Sequence, residues 1–410
     1  MKRQLITAIA LLVCCTLGAQ EYLPAWQEGY FDIHEIATGE GDAHFMIFPD
    51  GTTMLCDAGD RHGMIRSDGS KKDFPNFPDK TKRSGHWVAD YILEFSKGLE
   101  HPETVDYFWL THFHEDHFGY ASAMLPGTKG YGLSGVALVG EQIRFKKIID
   151  RGYPKYDDPS RALLFNESEG FMSEYVKYVN YQVEHNGTKA EKFKIGSRKQ
   201  FVLNNNPKPY RKTFEVWNIA ASCYITTGLG KRCMTDEDLT LCDENMRSCV
   251  AVFKYGKFSY YQGGDLPGGL HGVKGGKVTK RDFESQVADV IGPVTVVSAN
   301  HHGWKDCCNS YFLWKLAPQA IIFNASDNTH PWGATLQRCA DPQLPSQPKL
   351  YVTTQSAKAR LGDLWNHFAA PDGNIVIRVY PGGNSYQVFV LNAHSGKYEV
   401  IYKSGVISLN

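Results

Sequence analysis

His112-Phe113-His114-Glu115-Asp116-His117 places three imidazoles and two carboxylates within six residues. The stretch follows the apolar run Tyr107-Phe108-Trp109-Leu110, with Thr111 between. Neutral imidazole nitrogens and carboxylate oxygens are ligands for zinc and similar divalent ions. Keeping so many polar groups together is costly unless something binds them. The spacing matters too. In an extended segment, side chains two apart point the same way, so His112 and His114 can grip one ion from one side. A turn after them swings Asp116 and His117 toward a second position nearby.

The chain of 410 residues is 42% hydrophobic and 13% aromatic, enough for a sizeable core in one large domain or two smaller ones. Lys plus Arg number 44 and Asp plus Glu 44, so the formal charge is zero. A dedicated duplex-DNA binder usually carries a basic excess, and no duplex nucleic acid partner is expected. Lys2 and Arg3, the mostly apolar residues 5–17 and the small residues Gly18 and Ala19 form the pattern of a signal peptide cleaved before Gln20. The expectation is an exported chain, periplasmic or secreted. Cys14 and Cys15 raise a lipoprotein alternative, but Val13 stands where that signal needs a small residue. No later segment is apolar enough to span a membrane.

Export bears on the cysteines. Eight remain after residue 19: Cys56, Cys223, Cys233, Cys242, Cys249, Cys307, Cys308 and Cys339. In an oxidising compartment some are expected to pair, with a staple among Cys223, Cys233 and Cys242. Connectivity is not readable from sequence. The alternative is that several are zinc ligands. No Cys-x-x-Cys occurs among the eight, which speaks against a zinc ribbon.

Outward from the cluster the pattern is strands separated by turns. Residues 31–37, 44–48 and 52–56 read as strands, with a Pro49-Asp50-Gly51 turn between the last two. The third ends in Asp57. Residues 67–84 read as a polar loop. Residues 87–99 carry Trp87, Tyr91, Ile92 and Phe95 at helical spacing. Residues 105–110 form a strand into the histidine cluster, and 118–125 resume as a helix. Residues 126–215 are less regular, with a helix over 171–185, and read as an elaboration on one domain covering 20–410. Later strands fall at 214–219, 248–254, 258–262, 294–299, 320–324, 350–354, 375–379 and 386–391. Helices fall at 311–317 and 333–338.

Two of these strands are followed at once by metal-competent residues. Tyr260-Tyr261-Gln262-Gly263-Gly264 leads into Asp265, and the two glycines allow a sharp turn that leaves the carboxylate at a strand tip. A carboxylate there can bridge two ions. Val296-Val297-Ser298-Ala299-Asn300 leads into His301-His302-Gly303. Each signal alone is weak. Their order behind apolar runs is the argument.

Together they resemble the metallo-β-lactamase fold superfamily. His112, His114, Asp116 and His117 match its His-x-His-x-Asp-His signature, Asp57 its early aspartate, Asp265 its bridging aspartate, and His301 or His302 its last metal histidine. The closer resemblance is to the branch containing the hydrolase domain of ComEC-type competence proteins. Its features here are Gly39-Glu40-Gly41-Asp42-Ala43, the Asn245 to Ser248 spacing, His301-His302-Gly303 and His330-Pro331. The resemblance covers about 30–125 and 240–395. Many members place another metal histidine between the opening cluster and the bridging aspartate. Here His185 is alone in that interval, in an expected surface helix.

The resemblance implies an α/β fold built as a four-layer αββα sandwich. It implies a metal set of His112, His114, Asp116, His117, Asp265, His301 and His302, holding one or two zinc ions, with manganese as an alternative. It implies metal-assisted hydrolysis. Asp116 would hold metal and orient the water, Asp57 would fix a ligand's orientation, and His330 would help hold an anionic substrate. The substrate expected from the branch is a phosphodiester or phosphate ester. A lactam, lactone or amide is the runner-up, and a non-catalytic metal- or ligand-binding protein is the reading of another class. Flavo-diiron proteins share the fold but place Glu where His114 stands, so imidazole there favours hydrolysis over redox chemistry.

Overall fold

Alternation along the strands decides how the layers stack. In the strand Val250–Tyr255, the side chains of Ala251, Phe253 and Tyr255 join one buried cluster, and those of Val250 and Val252 join another. In Thr104–Trp109, Trp109 and Phe108 split the same way. Successive side chains on a strand face opposite sides, so each of these strands is buried on both faces. The computed structural model, which describes residues 20–65, 69–119, 124–157, 161–274 and 277–410, resolves this into two large sheets sharing one inner core.

The first sheet has ten strands. Its path runs Val400–Lys403, Ser385–Leu391, Asn374–Val379, Phe31–Glu35, His44–Ile47, Thr53–Cys56, Thr104–Trp109, Arg144–Asp150 and Lys189–Lys192, with Ile407–Ser408 pairing Ser385–Leu391 off that path. The second has eight, ordered Lys349–Val352, Ala320–Phe323, Val296–Ser298, Phe258–Gln262, Val250–Tyr255, Phe214–Ala221, Tyr224–Thr227 and Gly230–Cys233. Helices Ser84–Phe95 and Val136–Val139 cover the outer face of the first sheet, as do Tyr175, Tyr178 and Val179 of helix Arg161–His185. Helices Glu284–Ile291, Ser310–Leu316 and Gly333–Cys339 cover the outer face of the second. The fold is therefore a four-layer αββα sandwich.

Parallel pairing brings chemistry to one edge. Thr53–Cys56 runs parallel to Thr104–Trp109, and Phe258–Gln262 runs parallel to Val296–Ser298. The carboxyl ends of these strands deliver Asp57, His112, Asp265 and His301 in turn. The crevice beyond such strand ends is where α/β sheets place ligands.

Three sequence expectations change. The irregular stretch 126–215 supplies Arg144–Asp150 and Lys189–Lys192, which extend the first sheet in parallel. Their lysines and Glu191 hid the pattern, since a sheet edge tolerates charge. The helix near the histidine cluster begins earlier, at Glu115, and its turn Glu115–Phe118 ends at Gly119, whose φ is +129°. Of the helix expected over 118–125, residues 120–123 lie outside the described residues, as does the expected signal peptide, 1–19. Finally, the eight described cysteines are free thiols. The thiols of Cys223 and Cys242 hydrogen-bond, and Cys308 bonds both Cys307 and Cys339. Cys233, expected as part of the same staple, lies in the strand after the turn, partly exposed. Among the described residues no helix is long and apolar enough to cross a membrane.

Candidate metal centre

The turn at Glu115 places Asp116 and His117 beneath the first histidine pair. His112 Nε2 lies 3.1 Å from His114 Nδ1, as the extended spacing requires. Two glycines hold the turn from below. A Cβ on Gly41 would sit 2.2 Å from the Asp116 carbonyl oxygen, and one on Gly59 would sit 2.1 Å from it. Only a residue without a Cβ allows that approach. Backbone bonds then lock the seat. Asp42 N–H donates to the Asp116 carbonyl at 2.8 Å, and Ala58 N–H to the His117 carbonyl at 2.8 Å.

Three buried atoms converge on this seat with no hydrogen-bond partner: His117 Nε2, Asp265 Oδ1 and His302 Nε2. Asp265 Oδ1 is 3.3 Å from His117 Nε2 and 3.6 Å from His302 Nε2. His302 Nε2 is 3.3 Å from Asp116 Oδ2. Ligand atoms about 2.0–2.1 Å from a tetrahedral zinc lie about 3.3–3.4 Å apart, so this spacing fits a divalent ion. Buried polar atoms are seldom left unsatisfied, and such exceptions mark function.

The far nitrogens of both imidazoles are fixed. His117 Nδ1 meets Asp57 Oδ2 at 2.9 Å. Asp57 also accepts from Thr111 N at 2.8 Å and Thr111 Oγ1 at 2.7 Å. His302 Nδ1 meets Asp42 Oδ1 at 2.9 Å and the Asn324 carbonyl at 2.9 Å. A carboxylate behind a ligand imidazole sets its tautomer and orientation. Asp42 in turn faces His44 Nε2 at 3.4 Å, and His44 Nδ1 bonds Glu35 at 2.6 Å, whose other oxygen accepts from Tyr260 at 2.7 Å. His301 and His302 both adopt left-handed backbone, φ +49° and +52°. Two successive non-glycine residues in that region are strained, a feature that clusters at active and ligand sites.

The other half is sparser. His112 Nε2 is 3.7 Å from Asp265 Oδ2, and His114 is only half-buried. His301 Nε2 is also 3.7 Å from Asp265 Oδ2, but it lies 3.2 Å from Asn245 Nδ2, and its Nδ1 bonds Asp306 at 2.8 Å. His302, not His301, faces the Asp116 and His117 seat. His185 is exposed and stacks on Tyr181, away from the cluster.

Charge divides the two halves. Burial disfavours a charged His302, but Asp42 and Asp265 outweigh it and hold the ring well above its usual range. For His117, burial is outweighed by Asp265 and Asp57 in the same direction. Burial pushes His112 well below the usual range, with His117 adding to that. Burial would raise Asp265, yet His302 and His117 hold it well below the carboxylate range.

His330 stands beside this centre, its ring 5.2 Å from His302 and 5.0 Å from Trp304. Burial pushes it down to about 4 despite Asp327. Its Nδ1 lies 3.1 Å from the Asp327 carboxylate. Its place beside His302 leaves it within reach of a group bound at the centre. Arg61 is a buried cation beside the centre. Its guanidinium lies 3.5 Å from Asp116 and 3.7 Å from Asp327, and it covers the Phe74 ring at 4.3 Å. Arg61 and the backing role of Asp42 were missed in the sequence. Arg61 follows Asp57 by four residues with no motif around it. Asp42 sat in a turn whose glycines drew the attention.

No family model and no curated protein sequence matches this chain. Among solved structures, it is similar to the metallo-β-lactamase fold protein YhfI from Bacillus subtilis, at 10% identity and TM-score 0.33, over 71% of this chain and 85% of that one. It is similar to a diphosphatase from the PhnP family at 10% identity and TM-score 0.34, over 78% and 94%. It is similar to a long-form RNase Z from yeast at 10% identity and TM-score 0.36, over 82% of this chain and 42% of that one.

Proposed function

We propose that this chain is an exported metal-dependent hydrolase of the metallo-β-lactamase type, nearest the ComEC-type branch, that cleaves a phosphodiester or phosphate ester. The observation carrying this reading is the convergence of His117 Nε2, His302 Nε2 and Asp265 Oδ1 beside Asp116, buried and without hydrogen-bond partners. Asp116, His117, Asp265 and His302 would hold one zinc ion. His112 and His114, with Asp265 between the two halves, would hold another, and manganese is the alternative for either. A divalent ion in such a site makes a nucleophilic water available near neutral pH.

The chain's own groups supply the rest. Asp57 and Asp42 fix the two imidazoles from behind, so no reorganisation is needed when the ion binds. Arg61 brings a buried positive charge beside Asp116, suited to an anionic ester. His330, buried next to His302, would help hold that anionic substrate.

The test is metal analysis of the purified chain together with turnover of bis(p-nitrophenyl) phosphate, a chromogenic lactam and a lactone, each beside His117→Ala. The reading expects bound zinc or a similar ion and phosphodiester turnover lost in the variant. Absence of bound metal after zinc reconstitution overturns it. Turnover that survives His117→Ala assigns the chemistry elsewhere, and preference for the lactam or lactone overturns the substrate class.

A further inference from the structure

One buried ion pair lies outside the candidate ligand set yet reaches into it. Arg151 and Glu244 are 1% and 3% exposed. Arg151 Nε donates to Glu244 Oε1 at 2.7 Å, and Nη2 donates to Oε2. Taking two charges out of water is costly, so such a pair is weak evidence for stability, and its best-attested use is to fix register. A third bond shows what is fixed. Glu244 Oε1 also accepts from the backbone N–H of Phe113 at 2.8 Å.

Phe113 stands between His112 and His114. Side chains alternate along an extended segment, so anchoring the middle one sets the direction of its two neighbours. The Phe113 ring is 1% exposed and joins the outer cluster of the first sheet, with Tyr156 and Tyr175 centroids 6.0 and 5.8 Å away. The Arg151 guanidinium covers that ring at 4.7 Å. The ion pair thus holds Phe113 by its backbone and by its side chain. The flanking imidazoles of His112 and His114 group with Asp265 instead.

Glu244 also opens a segment that reaches the other ligand loops. Asn245 Nδ2 lies 3.2 Å from His301 Nε2, Asp265 N–H donates to Ser248 Oγ at 3.2 Å, and Cys249 N–H donates to the Thr111 carbonyl at 2.9 Å. Among the described residues no carboxylate stands behind His112 or His114 as Asp57 and Asp42 stand behind His117 and His302. The aim of the first two rings therefore comes from the backbone that carries them.

We infer that Glu244, held by Arg151, is the positioning residue of the sparser half. It fixes Phe113 so that His112 and His114 face one ion together with Asp265. The inference rests on the metal-centre reading above. It gives Glu244 the part that Asp57 and Asp42 play on the other side, exerted through a backbone N–H in place of a ring nitrogen.

The test is titration of zinc and of cobalt(II) into the metal-free full chain, as wild type, as Glu244→Met with Arg151→Met, and as Glu244→Gln. The double variant keeps apolar bulk and leaves no buried charge unpaired, a replacement that is often neutral or stabilising, so its thermal melting should stay close to wild type or rise. Its weaker metal equivalent should bind about tenfold less tightly or worse, the loss typical of an outer partner, while the tight one moves by less than about threefold. The visible absorption of cobalt(II) at the weaker equivalent should change with it. Glu244→Gln keeps an oxygen for the Phe113 N–H and should hold the weaker equivalent to within about threefold of wild type. Glu244→Leu with Arg151→Met carries the same test if the first pair misfolds. A weaker equivalent unchanged in the folded double variant overturns the inference, as does equal weakening of both equivalents. Wild type that binds no zinc overturns the metal-centre reading and this inference with it. Two unequal equivalents that ignore Glu244 overturn the inference and leave that reading standing.

Discussion

The two halves of the candidate metal centre share Asp265 yet differ in almost everything else. On one side Asp42, His117, Asp265 and His302 are all buried and their ligand-type atoms lie within 4.8 Å of one another. Each imidazole there has a carboxylate behind it. On the other side, among the described residues, His112 and His114 group with Asp265 alone, and His114 is half-buried. Asn245 and His301 stand near Asp265 and bond each other. The lesson is that a ligand motif does not set affinity. The groups behind the ligands do, through orientation and charge. One ion should therefore bind far better than the other.

The largest effect that would break this comparison is on the fully backed side. His302→Ala should remove the tight equivalent, with affinity falling by more than about a hundredfold, since even an outer partner of a metal histidine is worth about 10- to 100-fold. Equilibrium dialysis against zinc measures it. Next come the backing carboxylates. Asp42→Asn and Asp57→Asn keep the shape but withdraw the charge from His302 and His117, and each should weaken the tight equivalent by about 10- to 100-fold. Equal and negligible losses would mean that the carboxylates serve only packing. His114→Ala should be milder, removing the weak equivalent and leaving the tight one within about threefold, as read from the same dialysis.

The smallest effect is on protons. His117 and His302 are held above their ordinary range in the metal-free chain, chiefly against burial by Asp265, Asp57 and Asp42. Raised pKa values mean bound protons near neutral pH, and a metal ligand must be deprotonated. Zinc binding should therefore release protons, and affinity should weaken as pH falls. Titration calorimetry in two buffers of different ionisation enthalpy reads the release, and an identical heat in both would contradict it.

Much of this centre was legible because its signals are local. His112, His114, Asp116 and His117 lie within six residues, and Asp265 and His302 follow apolar strands closely enough to be read as strand tips. The layering was expected from the resemblance those residues carry, and strands such as Val250–Tyr255, buried on both faces, match it. What was hidden depends on contacts across the chain. Asp42 meets His302 only because the two sheets face each other. Arg61 acquires its role only when Asp116 and Asp327 arrive beside it. Arg144–Asp150 and the edge strand Lys189–Lys192 were hidden because their lysines, partly exposed toward that end of the sheet, break the apolar pattern. The cysteine reading failed for a related reason. Export argued for pairs, but Cys56, Cys249, Cys307, Cys308 and Cys339 serve as small buried side chains within the sheet and helix layers.

The most direct measurement is a competition titration of zinc into metal-free wild type, His114→Ala and His302→Ala, followed with a chromogenic chelator. The account predicts two unequal phases in wild type, with the tight phase kept in His114→Ala and lost in His302→Ala. A tight phase that survives in His302→Ala and disappears in His114→Ala would contradict it.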